Sequence, residues 1–315
     1  AENRVWAMLQ VASGGMHQFS ETDLTVYEEF FQNYPNFIGF NFAEPFWGFD
    51  QVDPISAKWT DRMNLLANLL KMSNKYGGYL TVNWCGNQYS QNINPIAMLK
   101  RNTSFRTASQ LYAANYILCE KYTTVSYKSD MESICLGAYL SGYSGQYGIR
   151  YDNTGWIDST GANANFTLAT GIAPHLEHIM LTGQTVIDGP EIIWQNCTVE
   201  KNTSTTADGF TRRNWATVAR FDNVMIDMFR KILDGTVRIP TRKEVIDRTK
   251  VVVINDVNSG SNDSIYSSPK ILFDGLYKMD SDGYYNTNKT FFKKTGRYPT
   301  IPTVYGLNGV DANSF

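Results

Sequence analysis

The sequence predicts an α/β fold, and within that class a (β/α)8 barrel (TIM barrel). Apolar runs of strand length recur along the chain, and amphipathic stretches of helical length separate them. Continuous apolar strands that alternate with helices are typical of a parallel sheet covered on both faces. Eight such units within 315 residues suit a closed barrel. A doubly wound open sheet is the alternative, but no GxGxxG motif follows the first predicted strand.

The predicted strands are short runs of apolar and β-branched residues bounded by turn residues. They cover 5–12, 37–43, 79–84, a less regular stretch near 124–127, 147–151, 184–188, 251–255 and 302–306. The predicted helices cover 23–34, 54–76, 105–122, 129–141, 166–181, 214–233 and 269–279. A Ser/Thr-rich polar stretch at 196–211 is predicted to be a loop insertion. We expect residues 1–315 to form a single catalytic barrel.

Composition narrows the classes of partner. The formal net charge is −2 and no run of Lys or Arg forms a basic stripe, so a nucleic-acid partner is not expected. No apolar run approaches the roughly 18 residues of a membrane span. The four cysteines lie far apart without a CxxC pair, which favours free buried thiols over a zinc site. His175 and His178 lack a third ligand, and we expect neither a metal nor a cofactor.

Four acids follow the ends of predicted strands: Glu44, Asp130, Asp152 and Glu191. In a barrel the carboxyl ends of the strands form the active face, so these side chains are expected at one rim. Glycoside hydrolysis needs a protonated carboxyl group that donates to the leaving oxygen and a carboxylate that activates water or attacks. The spacing of the acids therefore predicts a glycosidase.

Each acid also has a structural alternative. Asp130 lies in a capping-box pattern at a helix start, and Asp152 can pair with Arg150 at the end of its strand. Glu44 fits such roles less well because the stretch 37-FIGFNFAEPFWGFD-50 around it is strongly apolar. Apolar surroundings favour the protonated form of a carboxyl group, which is the form that a general acid needs. Glu191 has similar surroundings.

Aromatic and amide residues accompany these acids. Aromatic residues make up 14% of the chain, and indole faces suit the C–H faces of sugar rings. The candidates for stacking on sugar are Trp47, Trp84, Trp156 and Trp194. The candidates for contacts with sugar hydroxyls are His17, Asn83 and Arg150. A Trp at a strand end can also cap the core, so this pattern alone leaves both roles open.

The chain resembles the catalytic module of glycoside hydrolase family 98. The resemblance rests on 34-YPNFIGFNFAEPFWGF-49, 147-YGIRYDNTGW-156 and 185-TVIDGPEIIWQ-195. It implies an endo-acting, inverting hydrolase on a (β/α)8 barrel, usually followed by a β-sandwich domain, which we expect to have been trimmed from this chain. Known members cut an internal β-1,4-galactosidic bond in blood-group A or B glycans, and others cut decorated xylan.

The resemblance also implies roles for individual residues. The family's general acid matches Glu44, and its base is an Asp and Glu pair acting together. Glu191 matches the Glu. Asp152 has the better local context for the Asp, while Asp130 fits the overall spacing about as well. We therefore expect a secreted or cell-surface endo-β-galactosidase, with an endo-xylanase and a non-catalytic carbohydrate-binding barrel as alternatives.

Overall fold

The computed structural model describes residues 5–13, 24–45, 57–85, 102–122, 131–151, 177–178, 180–188, 198–217, 226–255 and 301–305. In these ranges six parallel strands form one sheet in the order of the chain. They are β1 (Ala7–Ser13), β2 (Phe37–Ala43), β3 (Tyr79–Cys85), β4 (Tyr116–Tyr122), β5 (Gln146–Tyr151) and β6 (Val186–Asp188). The α/β class is thereby confirmed.

The described helices separate these strands or follow them. They are α1 (Thr25–Asn33), α2 (Ala57–Tyr76), α3 (Thr103–Leu111), α4 (Met131–Leu140), α5 (Asp227–Leu233) and α6 (Arg242–Arg248). The amphipathic spacing predicted α1 and α2 to within three residues at either end. The start of α3 is fixed by Asn102, whose side chain accepts a hydrogen bond of 2.7 Å from the backbone of Phe105.

The main core lies between the helices and one face of the sheet. Phe40, Phe42 and Val82 from the strands and Leu66 and Leu70 from α2 belong to this buried cluster. Burying one such side chain contributes about 1.5–3 kcal/mol of transfer free energy. Side chains alternate between the two faces of a strand, so the residues between these core positions point to the opposite, inner face of the sheet.

A hydrogen bond across the inner face shows that the sheet curls. Asn41 of β2 donates through Nδ2 to Asp188 Oδ2 of β6 at 3.0 Å. These strands are four positions apart in the sheet order, which in a flat sheet is about 19 Å at about 4.8 Å per strand. Only a strongly curved sheet brings the two side chains together. The six strands therefore form a half-barrel.

The fourth strand does not lie where the sequence predicted it. The predicted helix at 105–122 ends at Leu111, and β4 occupies Tyr116–Tyr122 instead. The predicted strand near 124–127 lies outside the described residues. A short apolar run such as 116-YILC-119 fits helical and strand periods equally well, and pairing with β3 and β5 decides in favour of the strand.

The predicted polar loop at 196–211 is wrong, as is the start of the helix predicted at 214–233. Two antiparallel strands, β7 (Thr198–Thr205) and β8 (Thr211–Thr217), form a hairpin there, and the described part of the predicted helix is α5. The stretch is polar, but its threonines are β-branched and favour extended backbone. The β-branched threonines therefore indicated the structure of this stretch better than its polarity did.

The predicted seventh and eighth strands are present but do not extend the sheet in the described residues. They are β9 (Val253–Asn255) and β10 (Thr303–Tyr305), which pair with each other in parallel. The backbone of Ile301, just before β10, donates to Ser133 Oγ of α4. Helix α6, which the sequence did not predict, contacts the same helix, with Arg242 Nε donating to the Tyr139 carbonyl at 2.8 Å. Apolar strand runs do not reveal which sheet a strand joins.

Two glycines with positive φ provide a test of the close packing between β2 and β3. Gly39 has φ +132°, and a Cβ there would lie 1.8 Å from the Tyr79 carbonyl oxygen. Gly209 in the hairpin turn has φ +85° but open space around it. We expect Gly39→Ala to lower the free energy of unfolding by about 3 kcal/mol or more, through strain plus overpacking. Gly209→Ala should cost about 1 kcal/mol, through backbone strain alone. Urea denaturation measures both, and equal losses would contradict the assigned packing.

Candidate active site

Polar side chains occupy the inner face of the half-barrel near the carboxyl ends of its strands. They are Asn41 on β2, Asn83 on β3, Arg150 on β5 and Asp188 on β6, called here the inner polar cluster. Their strand neighbours Phe42 and Val82 belong to the core on the helix side. The alternation of strand side chains therefore places the cluster on the face opposite that core.

The inner polar cluster converges on one carboxylate oxygen. Asp188 Oδ2 accepts hydrogen bonds of 3.0 Å from Asn41 Nδ2, from Asn83 Nδ2 and from Arg150 Nη1. Asn83 Nδ2 also donates to Asn41 Oδ1 at 2.6 Å. Asn83 is fully buried, and the side chain of Arg150 is only 4% exposed. The Asp188 side chain is 20% exposed. The charges of Arg150 and Asp188 thus compensate each other where water is largely excluded.

Glu44 is the first residue after β2 and lies beside this cluster. Its backbone N–H donates to the Asn83 carbonyl at 2.9 Å, which extends the pairing of β2 and β3 by one residue. The residue is only 5% exposed, as its apolar surroundings predicted. Its φ of +52° is left-handed, which costs a residue other than glycine about 1–2 kcal/mol. Such strain persists where the surrounding structure imposes it, and it clusters at functional sites.

Arg62 of α2 holds the turn that carries Glu44. Its Nη1 donates to the Pro45 carbonyl, and its guanidinium lies 4.8 Å from the ring centre of Phe42. The residue is 3% exposed, and burial lowers the pKa of Arg62 to about 10. It therefore stays protonated at neutral pH. A buried cation next to the turn restrains the backbone at the acid from the helix side.

Cys119 of β4 forms part of the inner wall between Asn83 and Gly148. It is fully buried and free. Burial is the main cause that raises the pKa of its thiol well above the usual value, and the carboxylates of Asp188 and Glu120 raise it further. The opposing effect of Arg150 is smaller. The thiol is therefore neutral and contributes bulk to the wall rather than a nucleophile.

A second group of buried acids lies on the helix side of the sheet. Glu120 accepts a hydrogen bond of 3.1 Å from Gln184, and Glu132 Oε1 lies 3.2 Å from His178 Nε2. Glu120 follows Cys119 in β4, so its side chain points to the opposite face from the thiol. Both acids are fully buried beneath the helix layer, where their partners stabilise the packing of α4. The sheet separates them from the inner polar cluster.

Three of the site residues predicted from the sequence are described with their side chains, and they share one edge of the sheet. These are Glu44, Asn83 and Arg150. Trp84 lies next to Asn83 in β3. The other predicted residues lie outside the described ranges: Asp130, Asp152, Glu191, His17, Trp47, Trp156 and Trp194. Their roles stay predictions.

Sequence reasoning missed Asn41, Asp188 and Arg62. Asn41 lies in the otherwise apolar strand 37-FIGFNFA-43 and Asp188 ends the short strand 186-VID-188, and period-2 alternation could have placed both on the inner face. Arg62 is a cation just before the largely apolar stretch 63-MNLLANLL-70. In each case the signal was a polar residue next to apolar ones.

Within the described part of the chain, no three His, Cys, Asp or Glu side chains are grouped in a way that could hold a metal ion. No helix in those ranges is both long and apolar enough to cross a membrane.

A buried acid at the carboxyl edge of a parallel α/β sheet, beside amide and guanidinium donors, is an arrangement suited to glycoside hydrolysis. The sequence matches the family model "Glycosyl hydrolase family 98" over residues 1–240. It matches the model "Glycosyl hydrolase family 98 C-terminal domain" over residues 242–315. Both models describe the glycosyl hydrolase class. The chain belongs to glycoside hydrolase family 98, which confirms the resemblance seen in its motifs.

Solved structures of the same family share the fold. One is the catalytic module of a family 98 glycoside hydrolase from Streptococcus pneumoniae TIGR4 in complex with the H-disaccharide blood group antigen, at 19% identity and a TM-score of 0.63. That match covers 98% of this chain and 50% of the other. The complex of such a module with the LewisY pentasaccharide matches at 17% identity and a TM-score of 0.59, over 98% of this chain and 53% of the other. The chain thus spans about half the length of these structures. No curated protein matches the sequence.

The burial of Cys119 predicts a slow reaction with alkylating reagents. A raised pKa means that less of the thiol is ionised at a given pH, and burial also blocks access. In the folded protein at pH 8 we expect iodoacetamide to modify Cys119 at least about 100-fold more slowly than in the chain unfolded by guanidinium. Peptide mass spectrometry over a time course measures the two rates. Equal rates would show that the inner wall is open to solvent at this position.

Proposed function

We propose that this protein is an inverting endo-β-1,4-glycosidase that cleaves an internal β-galactosidic bond in complex glycans of the blood-group A/B type. Membership of family 98 supports glycoside hydrolysis. The observation that carries the assignment of the acid is Glu44, which lies buried and strained at the carboxyl edge beside the inner polar cluster. Similar modules bind the H-disaccharide and LewisY blood-group antigens, which supports the class of substrate.

In the proposed mechanism Glu44 protonates the oxygen of the leaving sugar. Glu191 and an Asp, with Asp152 preferred over Asp130, position a water molecule on the opposite face and remove its proton. Inversion requires room for that water, so the acid and base carboxyl groups should lie about 6.5–9.5 Å apart. Glu44 is only 5% exposed, so bulk water has little access to it, and in this proposal its carboxyl group transfers the proton directly to the glycosidic oxygen.

The inner polar cluster supplies donors and acceptors for sugar hydroxyls in this proposal. Asn83 and Arg150 line the inner face, and His17 is expected to contribute from the loop after β1. Trp47, Trp84, Trp156 and Trp194 are proposed to stack on sugar rings. Decorated xylan is the second candidate substrate, because the same carboxylate chemistry acts on its β-1,4 bonds.

We further propose that the complete chain closes the half-barrel into a (β/α)8 barrel. The contact between β2 and β6 across the inner face supports closure, as does the similarity to the solved family 98 modules. A single catalytic unit over 1–315 stays a prediction, and the two family models meet between residues 240 and 242. An extracellular or cell-surface location is proposed because the proposed glycans are found there.

Replacing the proposed acid separates an enzyme from a binding module. We expect Glu44→Gln to lower kcat about 10²- to 10⁴-fold, because an amide has no acidic proton to donate. Glycan affinity should change little, since the amide keeps the shape of the side chain. The control is Glu28→Gln on α1, which removes the charge of a surface ion pair with Lys75, leaves an oxygen to accept the hydrogen bond from the Tyr76 hydroxyl and should keep full activity. A non-catalytic carbohydrate-binding barrel would show the same behaviour for both variants.

Product analysis tests the bond cleaved and the stereochemistry. Incubation with blood-group A and B glycans should release an oligosaccharide from an internal galactosidic bond, detected by mass spectrometry. Proton NMR during the first minutes should show the α-anomer of the new reducing end, because inversion converts a β-linkage to the α-product. Release of xylo-oligosaccharides from glucuronoxylan alone would favour the second substrate, and a β-anomer would contradict the inverting mechanism.

A further inference from the structure

We propose that Asp188 is a positioning residue whose carboxylate holds Asn41, Asn83 and Arg150 in the arrangement that binds the hydroxyl groups of the substrate. The inference deepens the proposed function and rests on it. Asp188 lies at the end of β6, where it pairs in register with Arg150 of β5. It acts through its neighbours rather than on the reacting bond.

The geometry gives Asp188 a central place. One of its oxygens accepts N–H groups from three side chains on three different strands, each at 3.0 Å. One of those strands, β2, lies four positions from β6, the strand of Asp188, so the common acceptor fixes the side chains across the curved inner face. The negative charge of Asp188 also stabilises this arrangement. A buried guanidinium requires an anionic partner, and Asp188 supplies one to Arg150.

A second observation points to a ligand at this place. The Oδ1 atom of Asn83 is buried and accepts no hydrogen bond from the residues that the structure describes. Its Nδ2 is committed to Asn41 Oδ1 and Asp188 Oδ2, which fixes the orientation of the amide. A buried amide oxygen is normally satisfied by a donor. Sugar hydroxyls are such donors, and the 20% exposure of the Asp188 side chain shows that the cluster is reached from solvent.

The position of these donors matters more than their number. A sugar hydroxyl bound in the wrong place shifts the scissile bond relative to the acid, and an error of about 1 Å can cost on the order of 100-fold in rate. The Asn83 carbonyl also accepts the N–H of Glu44 at 2.9 Å. A displacement of Asn83 is therefore transmitted directly to the backbone of the proposed acid.

The first experiment is a kinetic double-mutant cycle. Asp188→Asn removes the charge and keeps the shape, and we expect it to lower kcat/KM about 100-fold. Arg150→Gln should have a similar effect. If Asp188 acts by positioning Arg150, the double variant should lose no more than about threefold beyond the larger single loss. Independent roles would instead multiply the two losses to about 10⁴-fold, and that result would overturn the proposal.

A second variant tests the proposal with a change that should not unfold the protein. Asn41→Ser removes one donor to Asp188 without leaving a buried charge, and we expect about a tenfold fall in kcat/KM with an unchanged melting temperature within a few degrees. The control is Asn74→Ser, which removes a similar amide pair, Asn74 Nδ2 to Asn115 Oδ1 at 2.9 Å, at the amino end of the sheet. It should leave kcat and KM unchanged. Equal kinetics for the two variants would overturn the proposal.

Calorimetric titration with the H-disaccharide distinguishes this proposal from the proposed function. It is performed on Glu44→Gln with and without Asp188→Asn, and positioning predicts about tenfold weaker binding when Asp188 is changed. An inactive Glu44→Gln variant together with unchanged binding and kinetics for Asp188→Asn would overturn only the positioning role. A fully active Glu44→Gln variant would overturn the proposed mechanism, while weakened binding by Asp188→Asn would still support the positioning role.

Discussion

The convergence of three N–H donors on one carboxylate oxygen of Asp188 is the constraint on which the curved sheet and its polar interior depend. A parallel sheet twists by itself, but twist alone does not bring strands four positions apart into contact. The hydrogen bond from Asn41 to Asp188 requires that contact, and the ion pair with Arg150 places a charge at the same point. An isolated ionic group at this depth would be unstable, and the pairing of β5 with β6 supplies the compensating charge. The curvature of the sheet adds the amide donor of β2 to this ion pair.

One face of the half-barrel forms the apolar core, and the other face carries the polar residues of the candidate site. On the helix side, aromatic and aliphatic side chains form the core, and the buried acids Glu120 and Glu132 have fixed partners there. On the inner side, amides, a guanidinium and a carboxylate replace the apolar residues. Strand alternation assigns neighbouring residues to these two environments, so a stable core and a polar site share the same strands. A shift of one residue in the register between two strands would exchange the two sets of side chains. The register of these strands is therefore tied to the placement of the polar site.

Much of this division was accessible from the sequence, and the rest was not for physical reasons. The strand at 37–43, the helices α1 and α2 and the position of Glu44 followed from apolar periodicity, because burial imposes that period. The strand β4 and the hairpin of β7 and β8 did not, since short runs are decided by their pairing partners. The sequence also did not predict that β9 and β10 form a separate pair, because that too depends on the choice of pairing partner. Asp188 was missed because its importance comes from contacts with residues 38 to 147 positions away.

The strained backbone of Glu44 is explained by restraints from two directions. On the sheet side its N–H is held by the Asn83 carbonyl, and Asn83 is itself fixed by Asp188 and Asn41. On the helix side Arg62 binds the carbonyl of Pro45. A left-handed residue between two such anchors cannot relax without breaking one of them, and each is buried. The strain therefore directs the acid away from the path that a continuing strand would take. The inner polar cluster and the proposed acid are therefore coupled: the carboxylate of Asp188 binds Asn83, and the Asn83 carbonyl holds the backbone from which the proposed proton donor projects.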